Sequence, residues 1–373
     1  MSLLPTDLRT LLLDRNLAMQ IDVVTDRALW DGMLLALPEP HVLQCFAWGE
    51  AKRATGWTPV RLRLHDGGQT IALAQVLRHR LPLPGLCVLY VPKGPLLAAG
   101  CAHYRDKVLE ALKRFARRQR AIFLKTDADI PITDAAALRA LLRAGFRPSP
   151  EQIQIRNSVV IDLRPEPEEL LARMHAEWRR KVRLAARRGV IVRPGGLRDL
   201  PHFYDMYLQT GRRDGFVVRP YSYYASIWQP FLQEGLAHLL LAEVEGETIA
   251  GVMLFRFGHR AWYLYGADTR KRHKLMPNYL LQWEAMLWAR AQGCTEYDLW
   301  GAPDRLTPDD PLWGVWEFKR GFGGRFVARL GAWDYAVIPS LYQLWQVVIP
   351  RYLALLRRLA GEPTLRPRPA AGG

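Results

Sequence analysis

The sequence predicts a mixed α/β fold in which one domain of about 175 residues is used twice. The first observation is length, because 373 residues are too many for one ordinary hydrophobic core. The second is an internal repeat, since GQTIALAQVL at 68–77 resembles GETIAGVMLF at 246–255. The third is the alternation of strand-like and helix-like segments in both copies, which favours mixed sheets covered by helices.

Three more pairs of segments recur in the same order at a nearly constant separation. They are CVLYVPKGP (87–95) with AWYLYGADT (261–269), residues 109–129 with 279–301, and LRAGF (142–146) with FKRGF (318–322). Four matched elements in one order are hard to obtain by chance, so the repeat is a whole domain. Each copy is predicted to run strand, strand, loop, helix, strand, Gly-Phe and strand.

The individual elements follow from residue patterns. Strands are predicted at Thr70–Leu77, Thr248–Phe255 and Trp262–Tyr265, which are rich in β-branched and aromatic residues. The helix of the second copy has apolar residues three and four apart, and Gly293 is predicted to end it. Those apolar residues are Leu280, Trp283, Leu287 and Ala291.

The two copies are predicted to meet between residues 157 and 158. A strand, Ser158–Leu163, leads into a proline-containing turn, and a single helix is predicted over Glu168–Arg188. The predicted units are a first domain (1–157), a second domain (158–330), a segment that packs back on the first domain (331–360) and a disordered tail (361–373).

Charge and cysteine content suggest a cytosolic protein with a polyanionic partner. Lysine and arginine number 52 against 36 acidic residues, a net charge of +16. This surplus favours nucleic acid, a diphosphate-bearing substrate or an anionic membrane surface, although solubility alone is an alternative explanation. The four cysteines form no CxxC pair, the first 20 residues do not resemble a signal peptide, and no run of about 18 apolar residues occurs.

Positive charge concentrates in two segments. One is EWRRKVRLAARRG (177–189), whose arginines share a helical face, and the other is TRKRHKLMPNY (269–279), at a turn between a strand and a helix. The candidate phosphate-binding side chains are Arg179, Arg183 and Arg187 in the first segment and Lys271, Arg272 and Lys274 in the second. The alternative is a solvated charged face without a ligand.

Common catalytic motifs are missing. The sequence has no GxxxxGK[ST], GxSxG or GxGxxG, and its nine histidines form neither HxxxH nor HExxH, so no cofactor and no metal are expected. An isolated carboxylate such as Asp298 is interpreted as structural. A reaction without these groups suits a donor that arrives activated, such as an aminoacyl ester attacked by an amine, which needs mainly positioning and oxyanion stabilisation.

Several segments together resemble the Fem family of aminoacyl-tRNA-dependent transferases, which build peptidoglycan interpeptide bridges. They are LQCFAWGEAKRATGW (43–57), YVPKGPLL (90–97), SVVIDL (158–163), RRDGFVVRPYSYY (212–224), YDLWGAP (297–303) and WEFKRGFGG (316–324). The resemblance implies two tandem acetyltransferase-like (GNAT-like) domains, in agreement with the duplication. No helical arm insertion is expected between Leu163 and Leu330. The turn at 269–279 lacks the glycines with which acetyltransferases hold acetyl-CoA, which argues against that donor.

The resemblance also implies roles for individual residues. Lys319 matches a catalytic lysine that stabilises charge on the ester carbonyl or on the tRNA ribose, and Phe318 would pack beside the tRNA end. The substrate-binding positions, on the diphosphate and uracil side and along the acceptor channel, are Lys52, Arg219, Tyr223 and Tyr265. Tyr263 is the alternative to Tyr265. Taken alone, Lys52 could be an exposed helix residue, Arg219 could pair with Asp214, and the tyrosines could be core residues.

The function implied is transfer of an aminoacyl group from aminoacyl-tRNA to the amino group of the stem-peptide diamino acid of a lipid-linked or UDP-linked peptidoglycan precursor. The protein would be a cytoplasmic monomer, with peripheral membrane contact through residues 339–360 as one option and packing on the first domain as the other. Two alternatives stay open. One is a GNAT-fold acyltransferase with another donor or acceptor, such as a polysaccharide or a protein N-terminus. The other is a non-catalytic protein that binds tRNA or a membrane.

Overall fold

A computed structural model describes residues 19–82 and 85–348, and it contains two mixed sheets. The strands that precede residue 150 are β1 (Gln20–Val23), β2 (Trp57–Asp66), β3 (Gln69–Arg80), β4 (Cys87–Val91), β5 (Leu96–Leu97), β6 (Ala121–Thr126) and β7 (Arg147–Pro148). The later strands are β8 (Ser158–Asp162), β9 (Ile191–Gly195), β10 (Ala237–Val244), β11 (Glu247–Phe257), β12 (Arg260–Asp268), β13 (Glu296–Asp298), β14 (Arg325–Val327) and β15 (Trp333–Ala336).

Helices connect and cover these strands. They are α1 (Arg27–Leu35), α2 (Phe46–Arg53), α3 (Arg105–Arg118), α4 (Ala135–Arg143), α5 (Pro167–Arg173), α6 (Ala176–Arg187), α7 (Leu200–Asp214), α8 (Tyr221–Gln233), α9 (Pro277–Ala291) and α10 (Trp313–Arg320), followed by a helix over 339–348. Every residue between Leu163 and Leu330 is described, and the longest helices there, α7 and α9, have 15 residues each, so the chain has the compact form without a long arm.

The two sheets repeat one strand order, which confirms the predicted pair of similar mixed-sheet domains. The first sheet runs β1-β2-β3-β4-β6-β15-β7, and the second runs β9-β10-β11-β12-β13-β8-β14. In each sheet four antiparallel strands lead to one parallel pair, β4 with β6 or β12 with β13. All three strands predicted from composition lie within β3, β11 and β12.

The first sheet is completed by a strand from the end of the chain. The second sheet uses the uninterrupted run from β8 to β14, in which β8 pairs with β13 and β14. β15 follows the strands of the second sheet, yet it pairs with β6 and β7 of the first. The domain limits 1–157 and 158–330 remain predictions, while the first sheet uses strands from 20–148 and 333–336 and the second uses strands from 158–327.

The single helix predicted over Glu168–Arg188 is wrong. The chain forms two helices, α5 and α6, because Met174 between them is extended, with φ −68° and ψ 151°. The side chain of His175 then accepts a hydrogen bond from the backbone N–H of Glu177 at 3.4 Å and caps α6. Helix-forming residues on both sides of the break gave no sign of it.

A large apolar core joins the two halves. It combines Trp30 and Trp48 of the first half with Trp228, Trp262 and Tyr265 of the second. Separate cores lie within each half, between the second sheet and α6 and α9, and between the first sheet and α3 and α4. All four cysteines are buried and free, as the sequence predicts.

The helix over 339–348 packs on the first sheet. The rings of Tyr342 and Trp345 lie 5.5 and 5.6 Å from that of Phe123, whereas Leu344, Val347 and Val348 are exposed. No helix among the described residues is both long and apolar enough to cross a bilayer. The predictions for residues 1–18, for the rest of 331–360 and for the tail 361–373 concern parts of the chain outside the described residues.

Candidate active site

A cavity of about 850 Å³ opens where two parallel strands of the second sheet separate. β12 and β13 pair only from Arg260 with Glu296 to Trp262 with Asp298, after which β12 continues alone on that side to Asp268. The cavity is bounded by β12, the start of α9, and α10, and its lining includes Tyr263, Tyr279, Phe318 and Lys319. Crevices beyond the carboxyl ends of parallel strands are the usual ligand sites of α/β sheets, so this is the candidate substrate site.

Lys319 lies at this cavity with its amino group held by the backbone. Its side chain is 6% exposed, and Nζ donates hydrogen bonds to the carbonyl oxygens of Trp300 (2.6 Å) and Gly301 (2.9 Å). The ring centre of Tyr263 is 5.6 Å away. Burial lowers the pKa of Lys319 to about 7, although the negative charge of Asp298 opposes that effect. The amine therefore exchanges protons near neutral pH, as catalytic lysines do.

Phe318, the neighbour of Lys319, forms part of an aromatic wall of the cavity. Its ring lies 5.3 Å from Tyr279 and 5.1 Å from Phe322, and its carbonyl oxygen accepts a hydrogen bond from Nε1 of Trp178 at 2.8 Å. The structure thus brings Phe318 and Lys319 together at one cavity. Their catalytic roles remain predictions.

Lys52, Tyr223 and Arg219 form a second cluster between the two halves. Lys52 of α2 donates a hydrogen bond to the hydroxyl of Tyr223 at 2.8 Å, and the Arg219 guanidinium lies 4.6 Å from the centre of the same ring. Burial lowers the pKa of Lys52, and Tyr223 opposes part of that effect. The alternative of an exposed Lys52 is wrong, because Lys52 is 7% exposed, whereas the Arg219 guanidinium lies over the Tyr223 ring and Asp214 pairs with Arg213 at 2.9 Å.

Tyr263, and not Tyr265, lines the cavity beside Lys319. Leu264 is an extra residue in the pairing of β12 with β11, since Met253 faces Tyr265 and Leu254 faces Tyr263. This bulge puts Tyr263 with the core of the second domain, whereas Tyr265 joins the core between the halves. Tyr263 is thus the residue of the two that lines this cavity, while the role of Tyr265 in an acceptor channel stays a prediction.

Tyr265 nevertheless lies near the second cluster. It is 1% exposed, and its ring packs 5.7 Å from Tyr224 and 5.3 Å from Trp228. Burial raises its pKa well above the usual tyrosine value, and Tyr223 adds to that increase. The contribution of Tyr265 to acceptor binding stays a prediction.

The arginines of α6 differ in their availability for a ligand. Arg183 and Arg187 are exposed, and neither has an acidic partner among the described residues. Arg179 is half-buried, and its guanidinium donates to the carbonyl oxygens of Ala172 (2.8 Å) and Met174 (2.6 Å). The α6 surface that can meet phosphate thus centres on Arg183 and Arg187.

The second basic segment is largely neutralised. Lys271 pairs with Glu247 at 3.0 Å, and Arg272 pairs with Glu245 at 2.8 Å. The backbone carbonyl of Lys274 accepts a hydrogen bond from Arg188. The acidic partners come from the turn between β10 and β11, which the segment itself could not reveal, so this segment is a weaker phosphate-binding candidate than its charge predicted.

A buried ionic network that sequence reasoning missed links the halves near Lys319. Asp129 forms ion pairs with Lys93 at 3.0 Å and with Arg329 at 3.2 Å, and Arg329 also pairs with Asp298 at 3.4 Å. The sequence indicates this network only through charged residues inside apolar segments. These are Lys93 in YVPKGPLL and Arg329 in FVARLGAW. Removing one member of such a network leaves a buried charge uncompensated.

One group of side chains has the donor set of a metal site. Ligand atoms of Glu39, His259 and Glu296 lie within 4.8 Å of one another. However, Arg260 pairs with both carboxylates, at 2.6 Å to Glu39 and 2.5 Å to Glu296. Arg325 also faces Glu296 at 3.6 Å, so two arginines balance the charge of the two carboxylates and no metal is assigned to them.

The fold defines the class of protein, a chain of two GNAT-like domains with mixed sheets. A crystal structure of FemX has a TM-score of 0.79 at 24% identity, covering 87% of this chain and 99% of that one. A tandem GNAT protein from the clavulanic acid biosynthesis pathway has a TM-score of 0.52 at 12% identity, covering 86% of this chain and 99% of that one.

Sequence comparison then gives the family. The FemAB family matches residues 36–137, 144–248 and 243–349, so the chain belongs to the FemAB family and is an aminoacyltransferase. Among its relatives, the lipid II:glycine glycyltransferase of Staphylococcus haemolyticus is 26% identical over 408 residues, with 89% of this chain and 97% of the relative covered. The protein of the same name from Staphylococcus aureus strain USA300 is 25% identical over 395 residues, with 86% and 94% covered. Both alignments are longer than the chain, so the relatives contain residues that this compact protein lacks.

Proposed function

We propose that the protein transfers an aminoacyl group from an aminoacyl-tRNA to the amino group of the stem-peptide diamino acid of a peptidoglycan precursor. The observation that carries the proposal is Lys319, a buried amine at a cavity between separated strands of an acyltransferase fold. The names of the relatives, lipid II:glycine glycyltransferase, support a precursor of this kind as acceptor.

The chemistry needs little beyond positioning and charge stabilisation. The acceptor amine attacks the ester carbonyl carbon, a C–N bond forms, and the C–O bond to the tRNA ribose breaks. The proton lost by the amine is taken up by the departing ribose oxygen, so the step is balanced without a further reactant. A protonated Lys319 has three N–H donors, of which Trp300 and Gly301 accept two, leaving one for the developing oxyanion.

The cluster between the halves suits the anionic part of the acceptor. Lys52 and Arg219 place two cations around Tyr223, and paired cations are a common arrangement for phosphate groups. A diphosphate bound there would be held by one cation from each half. Lipid-linked and UDP-linked precursors share this group, so the cluster is compatible with both.

The tRNA is proposed to reach the cavity along α6. Arg183 and Arg187 are exposed on this helix, while Lys181 of the same helix lines the cavity and donates to the hydroxyl of Tyr279 at 3.1 Å. Phosphates along α6 and the aminoacyl end in the cavity would then be bound by one continuous surface. Contact of the exposed Leu344, Val347 and Val348 with a membrane remains a further proposal for the lipid-linked case.

A product assay tests the proposal. The purified protein is incubated with mixed aminoacyl-tRNAs carrying radiolabelled amino acids and, separately, with the UDP-linked and the lipid-linked precursor. The expected product is a precursor heavier by one or more aminoacyl residues, formed only with intact charged tRNA. Ribonuclease-treated tRNA and acyl-CoA serve as controls. Transfer from acyl-CoA without transfer from aminoacyl-tRNA would overturn the proposed donor.

A further inference from the structure

The backbone that holds Lys319 has an unusual conformation. Directly after β13, Trp300 has φ +55° and Gly301 has φ +37°, so a bulky residue occupies the left-handed region. Such a conformation is unfavourable for tryptophan and persists only where its surroundings hold it. Its two carbonyl oxygens are the acceptors of the Lys319 amino group. The two residues with the unusual backbone conformation are therefore the same two whose carbonyl oxygens hold the Lys319 amino group.

Asp298 is the residue that holds this turn. Its Oδ1 accepts a hydrogen bond from the backbone N–H of Trp300 at 2.8 Å and another from the hydroxyl of Ser158, while Oδ2 faces Arg329 at 3.4 Å. The side chain is 0% exposed, so both oxygens are satisfied entirely by protein groups. Ser158 belongs to β8, the neighbour of β13 in the second sheet, which ties the turn to the adjacent strand.

The same carboxylate supplies negative charge close to the amine. The ionisable groups that face Lys319 are Asp298 and the Tyr263 phenol. Asp298 is in turn faced by Arg329 and Arg260. Asp298 acts against burial, which lowers the pKa of Lys319. A neutral side chain of the same shape would keep the turn and lose this effect.

We propose that Asp298 is the positioning residue for Lys319, because its carboxylate holds the Trp300–Gly301 turn whose carbonyl oxygens hold the amino group at the cavity. The role in catalysis rests on the proposed function, whereas the effect on Lys319 itself does not. The sequence indicated only a structural role for the isolated carboxylate of the YDLWG segment, and the structure assigns it a positioning role.

The first experiment measures Lys319 directly and needs no substrate. Protein labelled with ¹³C at lysine Cε is titrated by NMR, and the Lys319 signal is assigned with Lys319→Arg. In Asp298→Asn the pKa of Lys319 should fall by at least about 0.5, because an attractive charge is lost. The matched control is Asp334→Asn, which removes a buried carboxylate paired with Lys125 at 3.3 Å in the first sheet and should leave the titration unchanged. An unchanged titration in Asp298→Asn would overturn the proposal.

A second variant covers the case in which Asp298→Asn does not fold. Arg329→Gln removes a cation that faces Asp298, so the pKa of Lys319 should rise, in the opposite direction. An unchanged or lowered pKa of Lys319 in that variant would contradict the proposed electrostatic link. General destabilisation of the fold is not expected to shift the pKa of Lys319 in opposite directions in the two variants.

Activity separates positioning from simple destabilisation. In the transfer assay, Asp298→Asn should lower kcat at least about tenfold with KM within about threefold, and Asp298→Ala should lower kcat further because the Trp300 N–H also loses its acceptor. Full kcat in both variants would overturn the catalytic part. If no aminoacyl transfer is found even for the unaltered protein, the proposed function fails, while the NMR result on Asp298 still stands.

Discussion

The two halves share a strand order but treat the end of their parallel strand pair differently. In the first half, β4 and β6 stay paired up to Val91 and Thr126, and Asp127 then accepts from the backbone N–H of Lys93 at 2.5 Å and from the Tyr90 hydroxyl at 2.6 Å. The carboxylate ties the two strand ends together. In the second half, pairing stops at Asp298, which binds the backbone two residues further along its own strand.

Each half thus has an acidic residue at the end of the corresponding strand. In the first half this residue joins the ends of the two parallel strands, whereas in the second half the two strands stay separated. The open gap contains the cavity and Lys319, whereas the first half contributes Lys52 to the cluster between the halves. The comparison suggests that the second half carries the chemistry and the first half assists binding. The predictions below test this division, beginning with the largest expected effect.

Replacing Lys319 should reduce the rate most. Lys319→Met keeps the unbranched shape of the side chain, one atom shorter, and removes the charge. We expect kcat to fall roughly 10²–10³-fold with little change in precursor binding, as for loss of an oxyanion donor. Steady-state kinetics of aminoacyl transfer measure the effect. The control is Lys125→Met, which removes a buried lysine of the first sheet and should leave kcat within a few-fold. Equal losses in the two variants would contradict the division between the halves.

Replacing a cation of the cluster should weaken acceptor binding. Lys52→Gln and Arg219→Gln should each raise the dissociation constant of the UDP-linked precursor roughly 10- to 100-fold, since each removes one charge-assisted contact. Calorimetry at two salt concentrations measures binding, and the loss should shrink at high salt. Arg53→Gln, next to Lys52 and paired with Glu50, is the control. Equal losses with an analogue that lacks the diphosphate would exclude this role.

Stability should depend on pH through Lys319. Burial lowers its pKa to about 7, below that of an unfolded lysine, so between pH 7 and about 10 the unfolded chain binds more protons than the folded one. Raising the pH through this window should stabilise the fold by up to about 1.4 kcal/mol per pH unit. Urea unfolding at pH 7, 8 and 9 should show this dependence, and Lys319→Met should show a smaller one, because Lys52, whose pKa is also lowered by burial, acts in the same direction. The exposed Lys271→Met should behave like the unaltered protein.

The α6 surface should show the smallest effect, on tRNA affinity and its salt dependence. Arg183→Gln with Arg187→Gln should weaken tRNA binding several-fold and reduce the slope of log affinity against log salt by about one for each lost phosphate contact. Filter binding over a salt series measures both quantities. Arg143→Gln, an exposed arginine of the first half paired with Asp106, is the control. A slope identical to that of the unaltered protein would remove α6 from the tRNA surface.

The sequence predicted the duplicated fold and the neighbourhood of Lys319 because both depend on contiguous motifs. Phe318 and Lys319 are adjacent on α10, so one helix brings both to the cavity. By contrast, the choice between Tyr263 and Tyr265 depends on a bulge at Leu264 that the alternation of residues does not reveal.

Other features were missed because they depend on distant partners or on backbone angles. Glu245 and Glu247 neutralise the segment that contains Lys271 and Arg272, from a turn more than 20 positions away. The turn at Trp300 depends on a positive φ, which the sequence suggests for glycine but not for tryptophan. These ion pairs and backbone angles can be identified only from the folded structure.

The late position of β15 in the chain has a consequence for folding during synthesis on the ribosome. β7 ends at Pro148, but the strand that fits between β6 and β7 begins at Trp333. At ~5–20 residues per second, the ribosome needs ~10–40 s to deliver it. During this interval β6 of the nascent first sheet lacks its neighbour β15, and an exposed central strand invites pairing with other chains. A truncation just before β15 would make that interval permanent, and it should yield aggregates even though the cavity and Lys319 are still encoded.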